Sequence, residues 1–279
     1  MHPYVKIAAS IGLTLVLLFA FAGVYMAAGV MDDVTNDSWL LQVHNIALGA
    51  AWVAALFVLF RKGDGRKARE LGFAFDRRDG AFLLAALLLS LAFAVAFVAA
   101  LPQWTTMTVR LKTEFFRSGA FYALLLVSAV GWSMAALKEE ALARGYFMFQ
   151  LRRLGVGGMI GVSAVLFAAI HFPAGGAEWT KAASWFAGGV LYAYLYLKSG
   201  SLTVSTIAHG IHNLVNELLL GRAGDFSLFA MSEKVDGGDK LIYEIALKLS
   251  LLLLTAGWYR RTGGILTPSS RIAKLWGSP

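Results

Sequence analysis

Apolar residues fill this chain in long blocks, each separated from the next by a short polar or charged interval. Ile7 to Met31 is the first block, long enough to cross a hydrocarbon layer of about 30 Å as a helix. An acidic connector, Asp32 to Asp37, leads to a second block over Trp39 to Phe60, and a third covers Ala81 to Leu101 and closes at Pro102. The fourth starts near Ala120 and emerges near Arg152 and Arg153, and the fifth, Gly155 to Phe172, ends at Pro173 and a Gly175-Gly176 turn. Trp185 to Leu197 is a short, aromatic-rich sixth block, followed by Leu202 to Leu220 and Leu241 to Trp258. The pattern predicts an all-α polytopic membrane bundle of about eight transmembrane helices. Between the third and fourth blocks, Gln103 to Gly119 is mixed and predicts a short amphipathic helix lying along the interface. Ala20-Phe21-Ala22 imitates a signal-peptidase site, but the apolar run continues past it, so the first block is expected to remain as a span.

Composition supports the membrane reading. Of 279 residues, 58% are hydrophobic and 15% charged, more apolar surface than a soluble domain of this length can hide. The formal net charge of +8 would suit nucleic acid if the basic residues formed a stripe, but they lie between the apolar blocks. Arg61 to Gly80 carries seven of them, Arg61, Lys62, Arg66, Lys67, Arg69, Arg77 and Arg78. With Lys6, Arg152, Arg153, Lys198 and the tail residues Arg260, Arg261, Arg271 and Lys274, 15 basic residues fall on one side of an eight-helix topology and 7 on the other. By the positive-inside rule both termini, the loop 61–80 and the basic tail 259–279 are expected in the cytoplasm. No cysteine is present, which removes disulfides and thiolate chemistry together. No repeat or low-complexity tract divides the chain, so a single membrane-embedded domain over 1–279 is expected.

Several polar residues interrupt the apolar blocks. Gly131 to Tyr146 reads GWSMAALKEEALARGY, and an ionised side chain at mid-membrane costs roughly 2.5 kcal/mol or more, so such residues are rare and usually functional. Glu140 and Arg144, at i and i+4, share a helix face and can pair, whereas Glu139 points elsewhere with no partner in its own helix. Phe167 and His171 stand at i and i+4 in the fifth block; His209 and Asn213 do so in the seventh, with His212 one position off. A lone membrane histidine is most often a packing residue. Glu/Glu/Arg, His and His/Asn on three spans instead predict convergence on one polar cavity. There a carboxylate and an imidazole can hold a water and take its proton, while a second histidine and a carboxamide supply donors to an oxyanion. Ser128, Ser133 and Ser163 lack the setting of an activated nucleophile.

Glu139-Glu140-Ala-Leu-Ala-Arg144 followed by Gly145, then Phe167 to His171, then His209 to Asn213, resembles the CPBP family of CAAX-protease and bacteriocin-processing intramembrane proteases in motif order and spacing. The resemblance covers roughly Gly119 to Leu220, which would be the catalytic core. It implies a glutamate-dependent intramembrane endopeptidase acting on a membrane-associated protein or peptide, in a bacterial cytoplasmic membrane, with no nucleic-acid partner. Carried onto this sequence, Glu139 and His171 would activate the water, His209 and Asn213 would stabilise the oxyanion, and Glu140 with Arg144 would be a structural pair. No cofactor is expected. The alternative is a zinc-dependent form using Glu139, His171 and His209, although HExxH is missing. The GxGD of aspartyl intramembrane proteases is only approximated, at Gly221 to Asp225 and Asp236 to Asp239. A non-catalytic adaptor or immunity protein, or a transporter with a buried proton relay, are the readings from other classes. The depths are expected to differ: Glu139 sits deep in the fourth span and His171 near the outer end of the fifth.

Overall fold

A computed structural model describes residues 2–176, 178–221, 226–260 and 264–276. Arg222, Gly224-Asp225, Arg261 and the end of the basic tail lie outside the described residues. The chain is helical almost throughout. In order come α1 (Pro3–Ala28), α2 (Met31–Asn36), α3 (Ser38–Asp64), α4 (Arg77–Ala100), α5 (Gly119–Glu140), α6 (Met148–Leu151) and α7 (Gly155–Ala169). After these come α8 (Phe172–Gly175), α9 (Trp179–Ser199), α10 (Leu202–Leu220), α11 (Gly237–Trp258) and α12 (Ser270–Trp276). Among the described residues, eight helices of 15 residues or more stand where the eight apolar blocks were expected. Among the described residues, five helical stretches are long and apolar enough to cross a membrane: Pro3–Ala28, Ser38–Asp64, Arg77–Gln103, Gly119–Ala169 and Gly237–Trp258.

Inside a bilayer no water serves the backbone, so only structures that satisfy their own N–H and C=O groups are viable. The chain ends its helices accordingly. Asp76 and Asp79 cap α4 reciprocally, each carboxylate taking the other's backbone N–H at 2.9 and 3.0 Å. Asp37 caps α3 from Leu40 N at 2.9 Å, and Ser201 caps α10 from Val204 N at 3.2 Å. Gly155, at φ 69°, breaks the long stretch from Gly119 to Ala169 into the α5–α6 arm and α7.

The segment between α4 and α5 departs from expectation. It forms no amphipathic helix: two 3₁₀ turns, Leu101–Gln103 and Thr113–Arg117, flank a strand β1 (Val109–Leu111). This pairs antiparallel with β2 (Phe229–Met231), Arg110 opposite Ala230. The partner strand, more than a hundred residues away, satisfies backbone groups that a local pattern assigns to a helix.

The inner helices sit close because small residues allow it. A Cβ on Gly189 would lie 2.8 Å from Ala164 Cα, so α9 packs on α7 without side chains between them. A Cβ on Gly49 would lie 2.9 Å from the Met134 carbonyl, which holds α3 against α5 in the same way. Helix α10 packs against α4, α5 and α9. It carries His209, His212, Asn213, Asn216 and Glu217 and buries His209, His212 and Glu217 within the protein. Large side chains such as Phe19, Leu126 and Leu253 point outward, the arrangement of a lipid-facing surface.

One end of the bundle gathers the basic segments. Lys6 meets Asp64 at 2.5 Å and Gln150 donates to the same carboxylate oxygen at 3.0 Å, joining the starts and ends of α1, α3 and α6. Arg271 on α12 reaches Asp79 at 2.8 Å and Asp76 at 2.5 Å, and Arg66 donates to the Leu275 carbonyl. Lys198, at the end of α9, donates to the carbonyls of Gly264 and Thr267 at 3.0 and 3.2 Å. The N-terminus, the 61–80 loop, the Arg152-Arg153 corner and the described part of the tail therefore share one side.

Candidate active site

The α5 helix does not stop at the two glutamates. It runs into a π-helical segment, Ala141–Phe147, before α6 resumes α-helical geometry. Wider turns of this kind recur at functional sites because they re-aim side chains within a continuous helix. All seven residues of the segment are buried, so the register here is fixed by packing on every side.

Glu140 and Arg144 pair as their spacing predicts, with Arg144 Nε 3.0 Å from Glu140 Oε2 and both side chains fully buried. The guanidinium also lies over the Phe167 ring at 4.8 Å and donates to Ser163 Oγ at 3.4 Å. Glu140 does more than neutralise Arg144. It accepts from Ser205 Oγ at 2.5 Å and from His209 Nδ1 at 3.0 Å, so its carboxylate orients the α10 histidine. Hydrogen bonds to an ionised partner are roughly twice as strong as neutral ones, and this one fixes the ring with Nε2 turned toward Glu139.

Glu139 faces the other way. Its Oε2 lies 3.5 Å from His171 Nε2 and 3.7 Å from His209 Nε2. It keeps 18% of its side chain exposed and His171 keeps 22%, against none for Glu140 and Arg144. The accessible glutamate and the sealed one are thus neighbours in sequence with opposite environments. His171, in the turn between α7 and α8, has Nδ1 2.7 Å from the Phe167 carbonyl. A carbonyl only accepts, so this nitrogen carries the proton. Phe167 is therefore the backbone anchor of His171 as well as the ring beneath Arg144. The expected difference in depth is small enough to be bridged: measured from the basic corner, at 1.5 Å per residue, Glu139 and His171 lie about 18 and 24 Å up their helices, and their side chains span the rest.

Asn213 stands one turn beyond His209 on α10, half-buried, with no hydrogen-bond partner among the described residues. The structure thus brings Glu139, His171 and His209 to one point and places Asn213 on the same helix face as His209. His212 is elsewhere. It turns to α11, 3.0 Å from Glu244, which pairs with Lys248 at 2.6 Å and accepts from Asn216 at 2.7 Å. Lys248 in turn reaches Ser184 on α9 at 2.7 Å. This second buried network ties α9, α10 and α11 together behind the site. Sequence reasoning missed it, although Glu244 and Lys248 have the same i and i+4 spacing as Glu140 and Arg144.

Two aromatic residues on one face of α9 also escaped it. Tyr192 stacks on His209 at 4.4 Å and 14°, and Trp185 stacks on His171 at 5.1 Å and 25°. Ser205, four residues before His209, was legible by spacing once Glu140 was known to face α10. As for a metal, no group of three or more His, Asp or Glu side chains among the described residues is disposed to hold an ion.

Comparison with known proteins agrees with the motifs. Residues 120–215 match the family model described as Type II CAAX prenyl endopeptidase Rce1-like. No curated protein and no solved structure matches the chain. The matched segment spans α5 to most of α10 and holds every residue of the three motifs. Over residues 120–215, about a third of its length, this membrane protein is similar to the Rce1-like type II CAAX prenyl endopeptidases.

Proposed function

We propose that the protein hydrolyses a peptide bond of a membrane-associated protein or peptide by direct attack of a water held between Glu139 and His171. The observation that carries this reading is the approach of two imidazoles, one from the turn after α7 and one from α10, to one carboxylate oxygen at 3.5 and 3.7 Å. With its Nδ1 proton given to the Phe167 carbonyl, neutral His171 presents an acceptor at Nε2 to another acceptor. A water donating one proton to each satisfies both and leaves a lone pair for a carbonyl carbon. As the C–O bond forms, Glu139 takes the proton and later delivers it to the leaving amine. His209 donates a hydrogen bond from Nδ1 to Glu140 and keeps that proton; with a second proton on Nε2 it donates from there to the oxyanion, and the Asn213 amide adds a second donor. Glu140 and Arg144 position His209 without touching the substrate. No acyl-enzyme forms, since no serine or cysteine takes part.

The test is a purified protein cleaving a reporter peptide, beside its Glu139→Gln form. Turnover in the wild type and none in the folded variant supports the reading. Equal cleavage by both would sink it, and so would loss of wild-type activity in a chelator with recovery in zinc. The basic end is proposed to face the cytoplasm, from the asymmetry of basic residues.

A further inference from the structure

A second site lies at the basic end, far from the glutamates. A cavity of about 320 Å³ opens where the start of α1, the end of α3 and the corner after α6 meet, and Lys6, Asp64, Phe149, Gln150, Arg152 and Arg153 line it. The volume is that of a small-ligand pocket. Its charge is unbalanced. Asp64 is the one carboxylate in the lining; it is 95% covered, and one of its oxygens takes both Lys6 at 2.5 Å and Gln150 at 3.0 Å. The arginines are exposed at the mouth. Arg152 is held in place by the Phe149 carbonyl at 2.6 Å and by the Phe149 ring at 4.1 Å, and Arg66 lies over the same ring at 4.1 Å. Arg153 has no hydrogen bond or ion pair among the described residues. Counting Lys6, Arg66, Arg152 and Arg153 against Asp64 and Glu70, the Arg66 partner, two positive charges are uncompensated around one concave surface.

Planar guanidinium groups match phosphate oxygens two at a time, which makes paired arginines over a cavity a phosphate receptor more than a general basic surface. The position selects the source. The cavity lies at the ends of α1, α3 and α6, where headgroups sit, and α1 beyond it presents exposed apolar side chains such as Val16, Phe19 and Val24. We propose that this cavity binds the headgroup phosphate of an anionic phospholipid, with Arg152 and Arg153 on the phosphate oxygens and the acyl chains along α1. The assignment is independent of the catalytic reading.

Native mass spectrometry of the protein in detergent tests it, with phosphatidylglycerol, phosphatidylcholine and inorganic phosphate as probes. Wild type should retain one phosphatidylglycerol, in preference to phosphatidylcholine, and Arg152→Gln/Arg153→Gln should bind it about tenfold more weakly. Arg61→Gln/Lys62→Gln removes the same charge from exposed positions outside the cavity and should bind like wild type. Size-exclusion profiles and melting temperatures should match wild type in both variants, showing that the fold survives. Equal retention by wild type and the Arg152/Arg153 variant would overturn the proposal, as would equal loss in the Arg61/Lys62 variant. Inorganic phosphate that binds as tightly as the lipid would overturn the lipid assignment.

Discussion

Replacing Glu140 with glutamine keeps the side-chain shape and removes one charge from the tightest part of the bundle. Glu140 accepts from Arg144 Nε at 3.0 Å, Ser205 Oγ at 2.5 Å and His209 Nδ1 at 3.0 Å, all facing a carboxylate that is fully buried. A carboxamide offers one acceptor oxygen and turns an NH₂ toward donors, so at least one of these groups loses its partner. Arg144 then loses its paired carboxylate and keeps Ser163, at 3.4 Å, and the Phe167 ring. Removing one member of a buried ion pair costs roughly 3–5 kcal/mol, chiefly because the other charge stays buried. At about 2–4 °C per kcal/mol for a chain of this size, melting should fall by on the order of 10 °C. The assay is thermal melting in detergent, read by a fluorescent or size-exclusion signal, with Glu139→Gln as the reference. Glu139→Gln, whose carboxylate is partly exposed and lacks a buried cation, should melt near wild type. A Glu140→Leu/Arg144→Met double variant should recover much of the lost stability while staying inactive, since apolar replacement of a buried pair is often neutral. If Glu140→Gln melts within a degree or two of wild type, or no lower than Glu139→Gln, the sealed and the accessible glutamate have not divided their roles as argued.

Other outcomes follow from the same geometry. Asn213→Ala should lower kcat by about 10²–10³-fold with KM and melting temperature little changed, because the amide has no partner among the described residues to lose; a rise in KM alone would remove it from the oxyanion site. His171→Ala should abolish turnover in a folded protein, read by the same peptide assay. A single cysteine at Gly65, clean in a chain without native cysteine, should resist an impermeant thiol reagent added outside intact cells; labelling would invert the topology. The Asp76 carboxyl is held below its usual range, first by the Asp79 backbone N–H and then by Arg271. Its contribution to holding α12 is therefore complete above the ordinary carboxylate value near 4 and is lost as pH falls through the lower, folded value. Protease protection of the tail should stay flat from neutral pH to about 5 and weaken only below about 4. Loss already at pH 6 would assign the docking to other groups.

The sequence by itself determined the long helices, because each apolar block is a complete statement about where a chain can cross hydrocarbon. It also determined the Glu140–Arg144 pair and the partition of the two glutamates, since both follow from residues one turn apart on a single helix. The motif order carried the resemblance to the CAAX-protease family, and with it the expectation that three helices would meet. Tertiary structure alone decided what each polar residue faces. That His209 answers to Glu140 and His212 to Glu244, although three positions separate them, depends on which neighbours α10 packs against. That α9 supplies Tyr192 and Trp185 as stacking partners depends on a crossing with α7 close enough to exclude a Cβ at Gly189. The strand at 109–111 exists because a distant segment lies beside it, and local hydropathy holds no record of such a partner. The basic cavity arises likewise from helix ends far apart in sequence. Contacts within one turn are written in the order of residues, whereas contacts between helices are set by the packing of the whole bundle.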